Sequence, residues 1–439
     1  MLRSLRFKNI GPARAMAFTP APRLNVIAGD NGLGKSFLLD LSWWAVTRSW
    51  AGAPILPSPD RRGAAEVDVA FAAKSGEARL SVRFDDDKRS WRFPKGQPGQ
   101  PGLVVYARVD GDFAVWDSNR RFAEQAEDDT GIPKGLLFDR ASVWEGLRID
   151  GKPVCNGLIA DWVSWQQTDA PEFMMLCQAL EAMSPSAEDM LYPGRPERTR
   201  PDDSRLIPTL RTPYGEEIPV TAASAGVRRI LTLAYMLVWA WREHLELSRF
   251  SRRDPTLRML VLIDEVELHL HPRWQRVILP AIGRALEQIT WNGIIDPPTI
   301  QTIVTTHAPM VLASLEPQFE EPLDALFELD LVDARNGSWS RKVVLHRTEF
   351  QRMGDANAWL VSDIFGLGMA RSLPAEQAIN KAANLLAQPD RDEEALREVE
   401  RELEHVLSDT DPFWRRWRAI LEADPSDDPE PKTVVPAHD

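Results

Sequence analysis

The segment from Gly29 to Ser36 reads Gly-Asp-Asn-Gly-Leu-Gly-Lys-Ser, and its residue types and spacing suit the binding of phosphate groups. Glycines let the backbone curl so that consecutive N–H groups can point at an anion. The apolar run from Leu24 to Ala28 precedes the segment, and a helical pattern begins near Phe37. Because a strand, a glycine-rich loop and a helix N-terminus follow in this order, the sequence predicts a P-loop that binds a nucleoside triphosphate.

Each part of this loop has an expected role with ATP as the ligand. Lys35 is expected to reach the β- and γ-phosphate oxygens, and the Ser36 hydroxyl is expected to ligate Mg²⁺. Further contacts with the nucleotide are expected from Asn31, Gly32, Gly34 and Phe37. The predicted cofactors are therefore ATP and Mg²⁺.

A second pattern with chemical meaning is the apolar run from Met259 to Ile263, which ends in Asp264 and Glu265. A continuous apolar run of this length is typical of a strand buried in a parallel sheet. Asp264 at its end is expected to hold Mg²⁺, usually through water. Glu265 is expected to polarise the attacking water as a general base. The pair therefore predicts hydrolysis of the bound nucleotide.

Two further sites gain meaning from their order along the chain. Ser224 and Gly226 stand at the start of a predicted long helix, where free N–H groups form an anion site, although Ser224 alone predicts only a helix cap. His307 follows a predicted strand, Thr299 to Thr305, and an isolated histidine there is more often structural. In the order P-loop, Ser-x-Gly, Asp-Glu and His, both sites are candidates for contact with the nucleotide.

Composition limits the class of protein to which the chain can belong. The chain has 439 residues, of which 44% are hydrophobic and 27% charged, and these values are ordinary for a soluble globular protein. The sequence shows no transmembrane segment and no secretory signal, and Cys155 and Cys177 fit neither a disulfide framework nor a zinc site, so the predicted location is the cytoplasm. A net charge of −13 disfavours nucleic acid as a partner, although local arginine clusters leave DNA binding possible.

The predicted elements alternate in a way that indicates an α/β protein. Before residue 150, the patterns predict strands Leu2–Ile10 and Ala17–Ala28, a helix Ser36–Trp50, and an antiparallel layer that includes Ala65–Phe93 and the hairpin Leu103–Trp116. The later predicted elements are helix Asn156–Leu180, a hairpin over 206–221, helix Ala225–Leu247, strand Met259–Ile263, helix Pro272–Ile289, strand Thr299–Thr305, helix Asn357–Phe365 and a helical tail Pro374–Leu407. The alternation of strands and helices predicts a parallel sheet.

The same patterns suggest a division of the chain into segments. We expect an N-terminal ATPase lobe with the P-loop over 1–150, a helical and arginine-rich insertion over 151–205, and a C-terminal ATPase lobe over 206–370. A helical tail is predicted over 371–423. The acidic, proline-bearing residues 424–439 are expected to be disordered.

The ordered set of motifs resembles the ABC-type ATPase heads of the SMC, RecF and OLD families, over roughly residues 1 to 370. The resemblance implies an α/β P-loop NTPase fold with an antiparallel β layer and helical insertions. It also implies that two heads enclose two ATP molecules and form a homodimer on ATP binding. In that arrangement Ser224 and Gly226 face the other head's ATP, and His307 contacts the γ-phosphate. On the other head, the residues that face Ser224 and Gly226 are Lys35, Ser36, Asp264 and Glu265.

Departures from the family pattern narrow the resemblance. The signature reads Ala-Ala-Ser-Ala-Gly-Val-Arg-Arg from residue 222, and Val266 replaces a common proline, which favours the RecF and OLD side over transporters. Glu267, His269, His271 and Pro272 look like the acidic-His-Pro extension of OLD-like and RecF-like heads. Structural hydrogen bonding by the two histidines is an equal alternative, and metal binding is not expected from their spacing. Gln166 and Gln167 do not convincingly supply the glutamine lid of such heads, so that role stays open.

Features of some relatives are missing from the sequence. The separation of Lys35 from Ser224 is too short for long coiled-coil arms, and sustained heptads are absent. Asp390 and Asp392 match the Asp-x-Asp spacing of a Toprim nuclease, but they lie in a glutamate-rich helical pattern. The sequence therefore predicts a head without a built-in nuclease.

A weaker resemblance concerns ATPases of retron-associated and Septu-type antiphage systems, and it lies in Gly29–Trp50 and Asp411–Arg418. It implies a partner nuclease, HNH-type or Toprim, encoded nearby. Phe413, Trp414 and Trp417 form an aromatic face that either a partner or the protein's own head could bury.

Three functions remain open at this point. The favoured one is an ATPase that controls a separate effector in antiphage defence. The alternatives are a RecF-like DNA-binding clamp in repair and a nucleotide sensor without turnover.

The clamp alternative makes a prediction about the purified chain alone. A clamp binds duplex DNA without a partner, and its affinity falls steeply as salt rises, because binding releases counterions from the phosphates. Effector control predicts no such affinity. Fluorescence anisotropy with a labelled duplex at low and moderate salt, with and without Mg-ATP, separates the two.

Overall fold

The computed structural model describes residues 1–59, 63–73, 76–93, 102–120, 134–212, 215–291, 298–333, 341–388 and 392–422. These residues fall into two compact units, Met1–Trp359 and Leu360–Asp439. The sequence prediction placed the last boundary of the ATPase region at 370, eleven residues later than Trp359. The finer division into five segments stays a prediction.

Strands and helices alternate in the first unit. The strands are β1 (Leu2–Ile10), β2 (Ala13–Phe18), β3 (Leu24–Gly29), β4 (Glu66–Ala73), β5 (Gly76–Asp85), β6 (Ser90–Arg92), β7 (Leu103–Ala107), β8 (Phe113–Asp117), β9 (Leu136–Phe138), β10 (Leu147–Ile149), β11 (Lys152–Cys155), β12 (Tyr192–Pro193), β13 (Thr209–Arg211), β14 (Glu217–Pro219), β15 (Arg258–Ile263), β16 (Thr299–Thr305), β17 (Asp324–Asp333) and β18 (Arg341–Thr348).

The helices of the first unit are α1 (Lys35–Thr47), α2 (Arg140–Glu145), α3 (Leu158–Gln167), α4 (Pro171–Met183), α5 (Ala225–Phe250), α6 (Pro272–Gln275), α7 (Ile278–Trp291), α8 (Pro309–Leu315) and α9 (Ala356–Leu360), whose last residue belongs to the second unit. The second unit contains α10 (Leu373–Leu386), α11 (Glu393–Val406) and α12 (Phe413–Glu422).

An eight-stranded sheet forms the centre of the first unit, in the order β18-β17-β3-β16-β15-β7-β8-β9. Strands β17, β3, β16, β15 and β7 run parallel to one another, and antiparallel strands extend both edges. The predicted parallel sheet and the α/β P-loop NTPase fold are confirmed. Since parallel strands end at the same edge, β3, β16 and β15 bring the residues that follow them to one place.

A second sheet is antiparallel and five-stranded, in the order β2-β1-β4-β5-β6. Helix α1 lies in the hydrophobic core that this sheet shares with the central sheet, and its Trp43 and Trp44 are fully buried there. The buried side chain of Gln301 also links the two layers. It accepts from Leu2 N at 3.0 Å and donates to Leu2 O at 3.0 Å and Ala21 O at 2.8 Å. The predicted antiparallel layer is therefore present and closes over α1.

Two details of the predicted N-terminal region are wrong. The hairpin Leu103–Trp116 forms, but β7 pairs in parallel with β15, so the hairpin belongs to the central sheet and not to the antiparallel layer. All residues of β7 and β8 are buried, as expected of strands covered on both faces. The predicted strand Ala17–Ala28 is two strands in different sheets. Pro20 and Pro22 lie between them, and proline cannot donate to a strand ladder.

Several predicted helices are shorter or divided. The prediction Asn156–Leu180 covers α3 and α4, which separate at Asp169, where φ is +51°, and Pro171 begins the second helix. The prediction Pro272–Ile289 likewise covers α6 and α7. The helix predicted at Asn357–Phe365 is α9, which ends at Leu360.

The second unit is a set of three helices with its own core. Trp417 is completely buried in that core and Trp414 is 9% exposed, and the Trp414 indole donates to Ser408 O at 2.9 Å. The aromatic face is thus buried by α10 and α11, which neither predicted alternative anticipated. Asp392 caps α11, whereas Asp390 and the predicted disordered residues 424–439 lie outside the described residues.

Among the described residues, no helix is both long enough and apolar enough to cross a bilayer.

The amino-terminal ends of β3 and β17 are joined by a buried carboxylate, and this contact predicts a stability effect. Asp324, 1% exposed, accepts from Arg23 Nε at 2.8 Å and Nη2 at 2.7 Å, and from the backbone N–H groups of Leu24 and Glu320. Asp324→Ala leaves these donors without an acceptor and is expected to lower the unfolding free energy by about 1–3 kcal/mol. Urea denaturation measures this change.

The matched control is Glu320→Ala. Glu320 is exposed and lies 3.8 Å from the same Arg23, so its removal is expected to cost at most about 1 kcal/mol. Equal losses in the two variants would show that burial of Asp324 is not the cause.

Candidate nucleotide-binding site

The P-loop joins β3 to α1, and its glycines are required by its geometry. Gly34 precedes the helix with a backbone φ of +101°, a conformation that residues other than glycine rarely adopt. A Cβ atom at Gly34 would also lie 2.6 Å from Cγ of Pro12. The loop backbone is therefore held in the curled form that the sequence predicted.

Lys35 begins α1, and its charge lies inside the loop. The side chain is 4% exposed, and Nζ donates to Gly29 O at 2.8 Å and to Asp30 O at 3.2 Å. Nζ also lies 3.4 Å from Oε1 of Glu265, at the end of β15. Phe37, in contrast, is half-buried and packs its ring against Phe7.

Asp264 is tied to its neighbours by hydroxyl groups. The Thr305 hydroxyl donates to Asp264 Oδ1 at 2.7 Å and accepts from Glu265 N at 2.8 Å. The Ser36 hydroxyl also bonds to the Asp264 carboxylate. Burial raises the pKa of Asp264, and the charge of Glu265 adds to this effect, while the two hydroxyls and Lys35 oppose it. The predicted magnesium residues, Ser36 and Asp264, are therefore in direct contact.

Glu265 and His307 meet beside Lys35. His307 Nδ1 contacts Glu265 Oε2 and lies 3.0 Å from Oε1 of Glu267, which also accepts from His307 N at 2.6 Å. Burial, with the charge of Glu265, raises the pKa of Glu267, although the His307 N–H opposes it. Glu265 adopts a φ of +49°, which is uncommon outside glycine and marks a strained position at the site.

Two groups of side chains carry atoms that can ligate a cation. Ser36 and Asp264 offer hydroxyl and carboxylate oxygens, the ligands that Mg²⁺ prefers. The ligand atoms of Glu265, Glu267 and His307 lie within 4.8 Å of one another. Since His307 already contacts both carboxylates, we interpret this triad as a hydrogen-bonded network and the Ser36–Asp264 pair as the site whose chemistry fits Mg²⁺.

Ser224 and Gly226 stand at the start of α5, where Gly226 lies against the segment that follows Glu265. Ser224 caps α5 by accepting from Val227 N at 3.3 Å, and a Cβ atom at Gly226 would lie 2.6 Å from the carbonyl oxygen of His269. His271 caps α6 by accepting from Arg273 N at 3.3 Å. Among the described residues, no hydrogen bond or ion pair joins Ser224 to the P-loop.

Among the described residues, no glutamine contacts Lys35, Asp264, Glu265 or His307, so the role of glutamine lid stays unassigned. Gln166 donates to Gly194 O at 2.9 Å, within the helical insertion. Instead, β7 ends beside β15, where Asp264 N donates to Ala107 O at 2.9 Å, and the next residue is Arg108. Arg108 lies 3.8 Å from Asp40, a residue of α1, and 3.4 Å from Asp110.

Arg108, Asp40 and Thr305 were missed by reasoning from the sequence. Burial raises the pKa of Asp40, and the Tyr106 hydroxyl donates to it at 3.1 Å. For Arg108 and Thr305 the available signal is a polar residue at the carboxyl end of an apolar strand, the same signal that predicts Asp264.

Comparison with known proteins finds similarity to ATPases. The profile of the AAA ATPase domain matches residues 168–312, which include Ser224, Asp264, Glu265 and His307. The "Retron Vc95 probable ATPase" of Vibrio cholerae serotype O1 biovar El Tor is 37% identical over 142 residues, which are 30% of this chain and 24% of that protein. The "Retron Ec83 probable ATPase" of Escherichia coli is 41% identical over 59 residues, which are 13% of this chain and 9% of that protein.

A solved structure, the SMC head domain from Thermotoga maritima, is similar over 79% of this chain and 99% of its own, with 14% identity and a TM-score of 0.37. The chain spans about a quarter of the length of the first curated relative that it matches. The domain match, the two relatives and the P-loop sheet confirm the predicted P-loop NTPase fold and the resemblance to ATPases, including retron-associated ones.

Asp264 is buried, and we expect its charge to lower the thermal stability of the fold while it is required for binding Mg²⁺ with ATP. The pKa of Asp264 is higher in the folded protein than in the unfolded chain, so folding favours its protonated form. As pH rises through the folded-state pKa, Asp264 loses this proton, and its ionised form lowers the stability of the fold at neutral pH. Asp264→Asn is therefore expected to raise the thermal midpoint of the nucleotide-free protein at pH 7.5, and the gain is expected to shrink as pH falls toward 4. It is also expected to abolish the extra stabilisation by Mg²⁺ with ATP.

Differential scanning fluorimetry across this pH range measures both effects. Asp254→Asn, at an exposed position before β15, is the control and should change the midpoint little. A lower midpoint for Asp264→Asn at pH 7.5 would contradict the interpretation.

Proposed function

We propose that this chain hydrolyses ATP in a site completed by a second copy, and that the resulting ATP-gated dimer controls a separate effector in antiphage defence. The observation that carries the proposal is the meeting of Lys35, Asp264, Glu265 and His307 at the carboxyl edge of three parallel strands. These side chains come from distant parts of the sequence, and their types are those that phosphoryl transfer to water requires.

Lys35 and the P-loop backbone bind the phosphates in this proposal. In the structure Nζ bonds to carbonyl groups of its own loop, so the lysine is already directed into the curve where phosphate oxygens would replace those carbonyls. The remaining loop contacts come from the backbone at Asn31, Gly32, Gly34, Ser36 and Phe37. Mg²⁺, held by Ser36 and Asp264, would supply positive charge to neutralise the phosphates during transfer.

Glu265 is the proposed general base, and His307 holds it in place. Glu265 is 9% exposed and lies between a lysine and a histidine, so its carboxylate is both oriented and close to the phosphate loop. The Nδ1 atom of His307 is engaged by Glu265 and Glu267. This leaves Nε2 of a half-exposed ring as the atom that can contact the γ-phosphate.

The second copy enters the proposal because one chain does not bring all predicted residues together. Ser224 and Gly226 begin α5 beside His269, and the described contacts do not join them to Lys35. A helix N-terminus that is exposed and capped by serine is suited to an anion from another molecule. A facing copy would supply that anion as its γ-phosphate.

Control of a separate effector is supported by the names of the two curated relatives. Both curated relatives are named as retron ATPases, and the aligned regions cover only a small part of each. The buried aromatic face of α12 is not available as a docking site in this structure. The proposed partner is a nuclease of HNH or Toprim type encoded nearby.

Glu265→Gln tests turnover and dimerisation together. The substitution removes the base but keeps the size of the side chain, so ATP hydrolysis is expected to fall about 10²–10⁴-fold while ATP still binds. Light scattering with Mg-ATP is expected to show a dimer that is absent without ATP, because the ATP-bound state no longer decays.

Two variants serve as controls. Lys35→Ala should abolish both ATP binding and the dimer, and Glu404→Gln, exposed on α11, should behave like the unmodified chain. If Glu265→Gln turns over ATP at the normal rate, the assigned base is wrong. If no larger species forms with Mg-ATP, the gated dimer is wrong.

A further inference from the structure

A cavity of about 100 Å³ lies beside the first turns of α5. Its walls come from the β7–β8 turn, from α2, from the first turns of α5 and from the segment after β15. Basic side chains dominate its polar lining: Arg140, Arg228, Arg229 and His269. None of these residues has a role in the proposed hydrolysis.

Arg229 is the buried member of this group. It is 8% exposed, and its Nη2 donates to the backbone oxygen of Asp264 at 3.4 Å. Its Nη1 is buried and has no hydrogen-bond partner among the described residues. Burial lowers the pKa of Arg229, and the charge of Arg140 acts in the same direction, while Asp264 and Asp110 oppose it. A buried guanidinium with an unpaired N–H group is unfavourable unless an anion satisfies it.

Other features of the cavity also favour an anion. Helix α5 is 26 residues long, and one side of its first turns lines the cavity, so the cavity lies beside the positive end of the helix dipole. Arg140 and Arg228 are exposed at the same cavity. The nearby carboxylate of Asp110 is paired with Arg108 at 3.4 Å.

We propose that this cavity binds a phosphate group, with Arg229 as the buried contact and with Arg140 and Arg228 at the entrance. The phosphate is either free in solution or the γ-phosphate of ATP held by a facing copy, and only the second source rests on the proposed function. Arg229 then acts as a positioning residue, since it connects the bound phosphate with the backbone of Asp264.

The first arm of the test uses inorganic phosphate. Lys35→Ala removes the lysine contact at the P-loop, and only the phosphate binding that is lost on changing the cavity arginines is assigned to the cavity. Isothermal calorimetry compares Lys35→Ala with the same chain carrying Arg140→Gln and Arg228→Gln, and at least tenfold weaker binding is expected. Arg195→Gln and Arg249→Gln, both exposed and outside the cavity, form the matched control pair.

The second arm uses ATP and the Glu265→Gln chain. If the phosphate is that of a facing copy, Arg140→Gln with Arg228→Gln weakens the Mg-ATP-dependent dimer at least tenfold, while the monomer binds ATP as before. Arg229→Lys, which keeps the charge but changes the donor geometry, should then raise KM less than it lowers kcat. This pattern distinguishes a positioning role from loss of folding. If the double variant unfolds, Arg229→Lys provides the test in its place.

The outcomes separate this inference from the proposed function. A response to the arginine changes in either arm supports the phosphate site, and the responding arm identifies the source. If phosphate binding occurs without any ATP-dependent dimer, the cavity stands and the gated dimer fails. If the dimer forms and neither arm responds, the cavity inference is overturned and the gated dimer stands.

Discussion

The Thr305 hydroxyl holds together the two strand ends on which the site depends. It donates to the Asp264 carboxylate and accepts from Glu265 N, so the end of β16 determines where both acidic residues lie. Backbone hydrogen bonds continue this connection: Thr306 N donates to Ile27 O at 3.1 Å, and Val266 N donates to Thr305 O at 3.1 Å. Because β3, β16 and β15 are adjacent and parallel, the P-loop, the histidine and the acidic pair follow one edge. A shift of one strand would separate all of them.

The same edge concentrates unfavourable features that a purely structural region would avoid. Glu265 has a left-handed backbone, and three carboxylates lie close to one lysine and one histidine. Burial raises the pKa of Asp264 and of Glu267, so their charges lower the stability of the fold at neutral pH. The large core around α1 and the bonds of Asp324 and Gln301 compensate elsewhere. Such strain is typical of sites where charge must be available for a ligand.

The sequence predicted most of the features that are local in the chain. The P-loop, the long helix after Ser224 and the strands before Asp264 and His307 were confirmed, because each rests on a continuous pattern of residue types. Errors arose where the pattern did not specify a partner. The hairpin Leu103–Trp116 was recognised, but nothing in it shows that β7 pairs with a strand more than 150 residues later. Arg108 was missed for the same reason, since its place at the site follows only from that pairing.

The sequence by itself determined the P-loop fold and the kinds of side chain available for nucleotide chemistry, because loop conformation and strand burial depend on neighbouring residues. Only the tertiary structure decided which side chains meet. It placed Lys35 within reach of Glu265, joined Thr305 to Asp264, buried the aromatic face of α12 in its own unit, and directed Arg229 into a cavity beside Ser224. These contacts follow from strand order and helix packing, which depend on the burial of the whole core.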